Sequence, residues 1–170
     1  MKTALQLQNG AIFSECRFWR YVLTRRWKIG SNFLAVCGLN PSTADEENND
    51  PTVYRCIKRA TMLGFDGLIM LNAFALRSTD PKKLYDIDDA KLVIGPENDD
   101  YLIHYAKLAS KVVIAWGNHG KRFDRGFELV SKFLDNGVET LYCLGITLEG
   151  QPQHPLYIPY ARELKEYISK

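Results

Sequence analysis

Four short apolar runs punctuate the chain, at residues 33–39, 67–72, 111–117 and 140–145. Each is apolar at nearly every position rather than at alternate ones, the pattern of strands buried on both faces. The segments between them have helical spacing. Residues 51–63 place Val53, Ile57 and Ala60 on one face, with Asp50 as N-cap, Pro51 at the first helical position and Gly64 as the stop. Asp80-Pro81 opens a short helix near Leu84. Gly95-Pro96-Glu97-Asn98 starts another, running through Tyr101 and Leu102 to Ala109, and residues 123–134 form a further long helix. Residues 150–159 read as an extended, proline-rich loop, and 161–169 as a closing helix.

Strands alternating with helices predict an α/β fold: a three-layer α/β/α sandwich around a four-stranded, mostly parallel sheet. Residues 11–27 mix aromatics with arginines in rough alternation, which predicts one or two strands, or an antiparallel hairpin, leading into the core. The chain reads as a single domain, 1–170, with an N-terminal extension over roughly 11–30 and a core over roughly 31–170. The 46% hydrophobic content is enough for a core and too high for a disordered chain. The formal charge of +2 gives no sign of a strong nucleic-acid binder, although a near-neutral total can hide a basic face. No secretory leader pattern or membrane-length apolar run is present, so a cytoplasmic location is expected. Cys16, Cys37, Cys56 and Cys143 fit no metal or redox spacing, and Cys37 and Cys143 sit in apolar runs as small buried hydrophobes.

Candidate chemistry gathers where the strands end. The first is followed by Asn40-Pro41-Ser42-Thr43 and the second ends in Asn72, followed by Phe74 and Arg77. The third ends in Trp116-Gly117, with His119 beyond, and the fourth leads to His154-Pro155-Leu156. In an open parallel sheet such loops converge on the ligand site. Amides can read a nucleobase edge, aromatics can stack on its face, and Arg77 or His154 can meet phosphate or developing negative charge. Isolated histidines make a poor metal site, and neither phosphate-cradling glycine motif occurs, so no metal or cofactor is expected. Plainer readings stand beside these. Residues 40–43 suit an ordinary turn, Asn72 a strand-end cap, Trp116 the core and His119 a solvated loop. Residues 45–47 suit a solvated face, Asp50 a helix cap, and Glu97 and Asn98 a helix start. His154 lies in a rigid proline-flanked loop, which favours a functional role.

These motifs resemble a bacterial and phage family catalogued as a domain of unknown function, number 1643 in that series. The resemblance rests on residues 39–44, 49–52, 72–74, 95–98, 115–117 and 154–156 and spans roughly 11–159. More distantly, the motif order is similar to the uracil-DNA glycosylase superfamily. That resemblance implies a water-positioning loop at Gly38-Leu39-Asn40-Pro41 and a base-reading Asn72. It also implies a Trp-Gly strand end at Trp116-Gly117 and a histidine, His154, that steadies the departing base from a loop entering the DNA minor groove. No Asp or Glu stands at the water-activating position, where Asn40 stands instead, and the last loop lacks serines.

The expected function is hydrolysis of an N-glycosidic bond of a base, normal or modified, in DNA or a nucleotide. Asn40 and His154 would be catalytic, while Ser42, Thr43, Asn72, Phe74, Arg77, Asn98, Trp116, Gly117, His119 and Pro155 would bind substrate. The alternatives are a non-catalytic module that binds a nucleotide or modified base, and an enzyme acting on a free nucleotide. The partner is a nucleobase-containing substrate; neither a membrane nor an obligate protein partner is implied. Exposure of residues 17–27 beside the pocket would favour DNA, and burial of their aromatics would weaken it.

Overall fold

The computed structural model describes residues 7–168. The four apolar runs become strands β3 (Phe33–Gly38), β4 (Gly67–Asn72), β5 (Lys111–Ile114) and β6 (Leu141–Cys143), mutually parallel where they pair. They form the centre of a larger sheet than the sequence predicts. Seven strands lie in the order β1-β2-β4-β3-β5-β6-β7, so the sheet is mixed. The added edges are antiparallel: the hairpin β1 (Gly10–Phe13) and β2 (Arg20–Arg26) beside β4, and the short β7 (Lys165–Glu166) beside β6.

The expected N-terminal hairpin is present as β1 and β2; the sheet exceeds four strands because this hairpin pairs with β4 and the short β7 pairs with β6. The charged residues of β2 are enclosed. Arg20 and Arg25 are almost fully buried, and their guanidinium groups donate to backbone carbonyls of the segment that follows β3. Paired in this way, charged side chains fit where hydropathy alone places none, while Arg20 Nε has no partner among the described residues.

The closing helix is also corrected. Within 161–168 the structure has a turn and then β7, while Ser169 lies outside the described residues. A helix needs the carbonyls of its first turns for its own amides. Here the carbonyls of Ile158, Pro159, Tyr160 and Arg162 accept instead from Arg59.

The helices are α1 (Pro51–Met62), α2 (Ala90–Ile94), α3 (Asn98–Lys107) and α4 (Arg125–Asp135). Asp50 caps α1 through Val53 N–H at 2.9 Å, and Gly64 takes φ +82° beyond its end, as the sequence predicts. Alternation along the central strands sends Leu34, Val36, Leu68 and Met70 to a core with α1 residues Val53, Cys56 and Ala60. It sends Ala35, Cys37, Ile69 and Leu71 to a second core with Leu102 and Tyr105 of α3 and Leu129 and Phe133 of α4. The sheet is therefore covered on both faces. Among the described residues no helix is long and apolar enough to cross a membrane.

Gly67 marks the tightest point in the sheet. A Cβ there would overlap the Phe33 ring and lie 2.7 Å from the Arg25 carbonyl oxygen. Gly67→Val is expected to destabilise the protein by about 1–3 kcal/mol or more, measured by urea unfolding, because backbone on one side cannot yield. A conservative change at exposed Lys28 serves as the neutral reference.

Candidate functional site

The chain leaves β3 for its neighbour β4 on one side, then crosses to β5 on the other. The carboxyl ends of β3 and β5 therefore flank a topological switch point, where open α/β sheets form their crevice. A cleft of about 470 Å³ lies there, within the range of small-molecule sites. The segment after β3 supplies Leu39, Asn40 and Ser42, and the start of α1 supplies Asp50, Pro51 and Thr52. Ser78, Thr79 and Pro81 follow β4, Trp116 and His119 follow β5, and His154, Leu156 and Tyr157 follow β6.

Asn40 is held by its amide nitrogen. Nδ2 donates to the carbonyls of Ser78 at 2.9 Å and Pro41 at 3.1 Å, with Leu76 at 3.5 Å. This joins the loop after β3 to the loop after β4 and leaves Oδ1 as the acceptor available to a ligand. Asp50 is buried, and its Oδ1 caps α1. Because Asp50 also lines the cleft, a carboxylate stands in the site after all, contributed by the helix start rather than by the strand end.

His154 is half-buried, and burial lowers its pKa below the ordinary 6.5, with Asp50 pulling the other way. Leu156 N–H points to Nδ1 at 3.4 Å. In the neutral ring Nδ1 is thus the acceptor, and the proton sits on Nε2, which becomes a donor. His119 is oriented by Tyr85, whose hydroxyl lies 3.1 Å from Nδ1. Trp116 is both core and cleft wall: 1% exposed, with Nε1 donating to Gln151 Oε1 at 3.2 Å. A Cβ on Gly120 would overlap this indole, so the turn after β5 needs glycine there.

Asn40, Ser42, Trp116, His119 and His154 thus share one cleft, and the other expected residues do not line it. Thr43 is exposed outside the lining. Asn72 is buried at the end of β4, where its Nδ2 has no partner. Asn98 is fully buried and donates to the carbonyls of Asn72 at 3.0 Å and Ala73 at 3.3 Å, bracing the end of β4. Phe74 is core. Arg77 packs over Phe13 and donates to the Arg17 carbonyl at 3.3 Å. Gly117 (φ +68°) lies against His154 and donates to the Pro152 carbonyl at 2.8 Å. Pro155 is buried, and its carbonyl accepts from Arg55 at 3.3 Å.

Residues 20–156 match the family described as "Protein of unknown function (DUF1643)". The chain belongs to this family. No curated protein and no solved structure matches it. The matched span of this DUF1643 chain runs from β2 to the turn after β6 and contains every cleft residue except Tyr157.

Asp50 is the main residue that the sequence reading misses, because its role as a cap is a sufficient explanation for it. Two signals were available: it opens the helix directly after the Asn40 loop, and with Thr52 it lies in residues 49–52, one of the stretches that carry the family resemblance. Thr79, Tyr85 and Tyr157 carry no such signal.

The lowered pKa of His154 has a definite consequence for stability. On acidification the unfolded chain takes up a proton near 6.5, before the folded chain does, so stability falls as pH drops through 6.5 and levels off below the folded value. Thermal melting of wild type and His154→Gln over about pH 7.5 to 4.5 should show this as a difference. The variant loses less stability than wild type across the acidic limb. Parallel profiles would mean that His154 is not held neutral by the fold.

Proposed function

We propose that this DUF1643 chain hydrolyses the N-glycosidic bond of a nucleobase-bearing substrate. The observation that supports this best is the meeting, in one cleft, of the Asp50 carboxylate, the Asn40 amide oxygen and a His154 held with Nε2 as donor. In such a hydrolysis the C1′–N bond breaks and its electron pair leaves with the base, while positive charge develops on the sugar. Water attacks C1′ and gives up a proton. Asn40 Oδ1 would orient that water, and the Asp50 carboxylate would stabilise the sugar cation and accept the water's proton. His154 Nε2–H would donate a hydrogen bond to the departing base, where negative charge appears. The similarity of motif order to uracil-DNA glycosylases supports the same assignment for Asn40 and His154. Asp50 then supplies the carboxylate that the first loop lacks, and base contacts fall to the cleft's histidines rather than to Asn72.

A free nucleoside or nucleotide suits the molecule better than duplex DNA. Arg20, Tyr21 and Arg25 are buried, Trp19 and Trp27 are partly buried, and only Phe18 stands well out among the aromatics of residues 17–27. That segment braces the interior and offers no basic strip of the kind that phosphate backbones require.

Release of free base from nucleosides, nucleotides and oligonucleotides, followed chromatographically, tests the proposal. Asn40→Ala and His154→Ala are expected to lower the rate by about 100-fold or more. Asp50→Asn should do the same while keeping the cap of α1, since asparagine also caps helices well. If no substrate in the panel yields free base, the proposal fails.

A further inference from the structure

We infer that the cleft is built for an uncharged nucleoside and discriminates against its phosphorylated form. This rests on the nucleobase reading above and adds the ligand's charge. The first ground is the way the lining chemistry divides across the sheet. In the strand order, β4 and β3 lie on one side of the switch point, and β5 and β6 on the other. The hydroxyls of Ser42, Thr52 and Thr79 follow β3 and β4, whereas the rings of His119, His154 and Tyr157 follow β5 and β6. One cavity thus combines hydroxyl-bearing and ring-bearing side chains, with Thr52 on the helix that holds the His154 loop through Arg55. A nucleoside offers both chemistries, a sugar rich in hydroxyls and a flat, aromatic base.

The second ground is charge. Among the described residues no lysine or arginine lines the cleft, and the one formally charged lining group is the Asp50 carboxylate. The nearby guanidiniums do not line the cleft and donate to backbone carbonyls. Arg55 and Arg59 donate to backbone carbonyls of residues 155–162, and Arg20 donates to the Ala44 carbonyl at 2.8 Å. Lys82 and Lys83 follow Pro81 but are exposed and outside the lining. The amino end of α1, which would ordinarily attract a phosphate, already has its own anion in place, because Asp50 accepts Val53 N–H there. A phosphate entering the cleft would meet the Asp50 carboxylate, and the cation coupled to that carboxylate, Arg20, is buried and outside the lining.

Calorimetry with the four common ribonucleosides and their 5′-monophosphates tests this on the wild-type protein. At least one nucleoside should bind, and its monophosphate should bind at least tenfold more weakly. Asp50→Asn, which keeps a capping side chain and removes the charge, should narrow that ratio toward unity. Monophosphate binding as tight as that of the nucleoside overturns the inference, as does absence of binding by all eight compounds. The base-release assay separates the two claims. Nucleotide hydrolysis without nucleoside hydrolysis sinks this inference and leaves the glycosidic reading standing. Nucleoside binding without base release supports the ligand class and removes the hydrolysis.

Discussion

Irregular backbone leaves carbonyl groups that need donors, and over residues 155–162 those donors come from a helix. Arg59 is buried on α1 and its guanidinium donates to the carbonyls of Ile158, Pro159, Tyr160 and Arg162. Arg55, one turn earlier, takes Pro155 and again Ile158, and both cations lie over the Tyr160 ring. Charge-assisted hydrogen bonds of this sort are worth about 1.5–3 kcal/mol each. The planar fork of arginine reaches several acceptors at once, which the point charge of lysine cannot do. The loop carrying His154, Leu156 and Tyr157 is fastened in this way to α1, and α1 begins at Asp50. One helix therefore fixes both the carboxylate and the imidazole of the cleft.

The sheet determines which chemistry meets which. A chain that passes from β3 to β4 and then back across to β5 opens a crevice between the ends of β3 and β5. The loop after β3 is pinned on one side by Asn40, bonded to the Ser78 carbonyl at 2.9 Å. On the other side it is pinned by Arg25, bonded to the carbonyls of Asp45 at 2.7 Å and Asn48 at 3.1 Å. Beneath the end of β4, Asn98 and the fully buried Arg125 hold the Ala73 carbonyl, and Arg125 also pairs with Asp99 and Glu128. The ends of β3 and β4 are thus fixed by polar contacts, and of the side chains that make them only Asn40 lines the cleft.

The four central strands were legible because burial on both faces needs continuous apolar runs, and no other short element makes that demand. The α1 boundaries were legible because Asp50, Pro51 and Gly64 each do one local job. What escaped depends on partners distant in sequence. The hairpin of β1 and β2 was legible, but its place in the main sheet was not, because the buried Arg20 and Arg25 are held by the loop after β3, about twenty residues away. The tail reads as a helix until Arg59, about a hundred residues earlier, claims its carbonyls. The site divides in the same way. Asn40, His119 and His154 were readable as polar residues after strands, and they do meet. Asn72 ends its strand by the same rule yet lies buried beside Gly38, because residues on adjacent strand ends share a switch point only when the topology puts them on either side of it.

Asp50 shows why a sufficient local explanation can hide a second role. Capping uses one carboxylate oxygen, Oδ1, to satisfy Val53 N–H, and a cap needs nothing more. The carboxylate is nevertheless buried, which is costly for a charge without partners. The cost falls when the charge sits at a helix amino end, where the aligned peptide dipoles favour it. It falls further because Asp50 acts electrostatically on Arg20, a buried cation whose own pKa burial lowers to about 10. The fold therefore supports a buried carboxylate beside the cleft through α1 on one side and β2 on the other. At His154, burial outweighs the attraction of that same carboxylate and keeps the ring toward the neutral form. The hydrolysis proposed above needs an acceptor near the sugar and a donor near the base, and under that proposal the packing of one helix start and one proline-flanked turn would supply both.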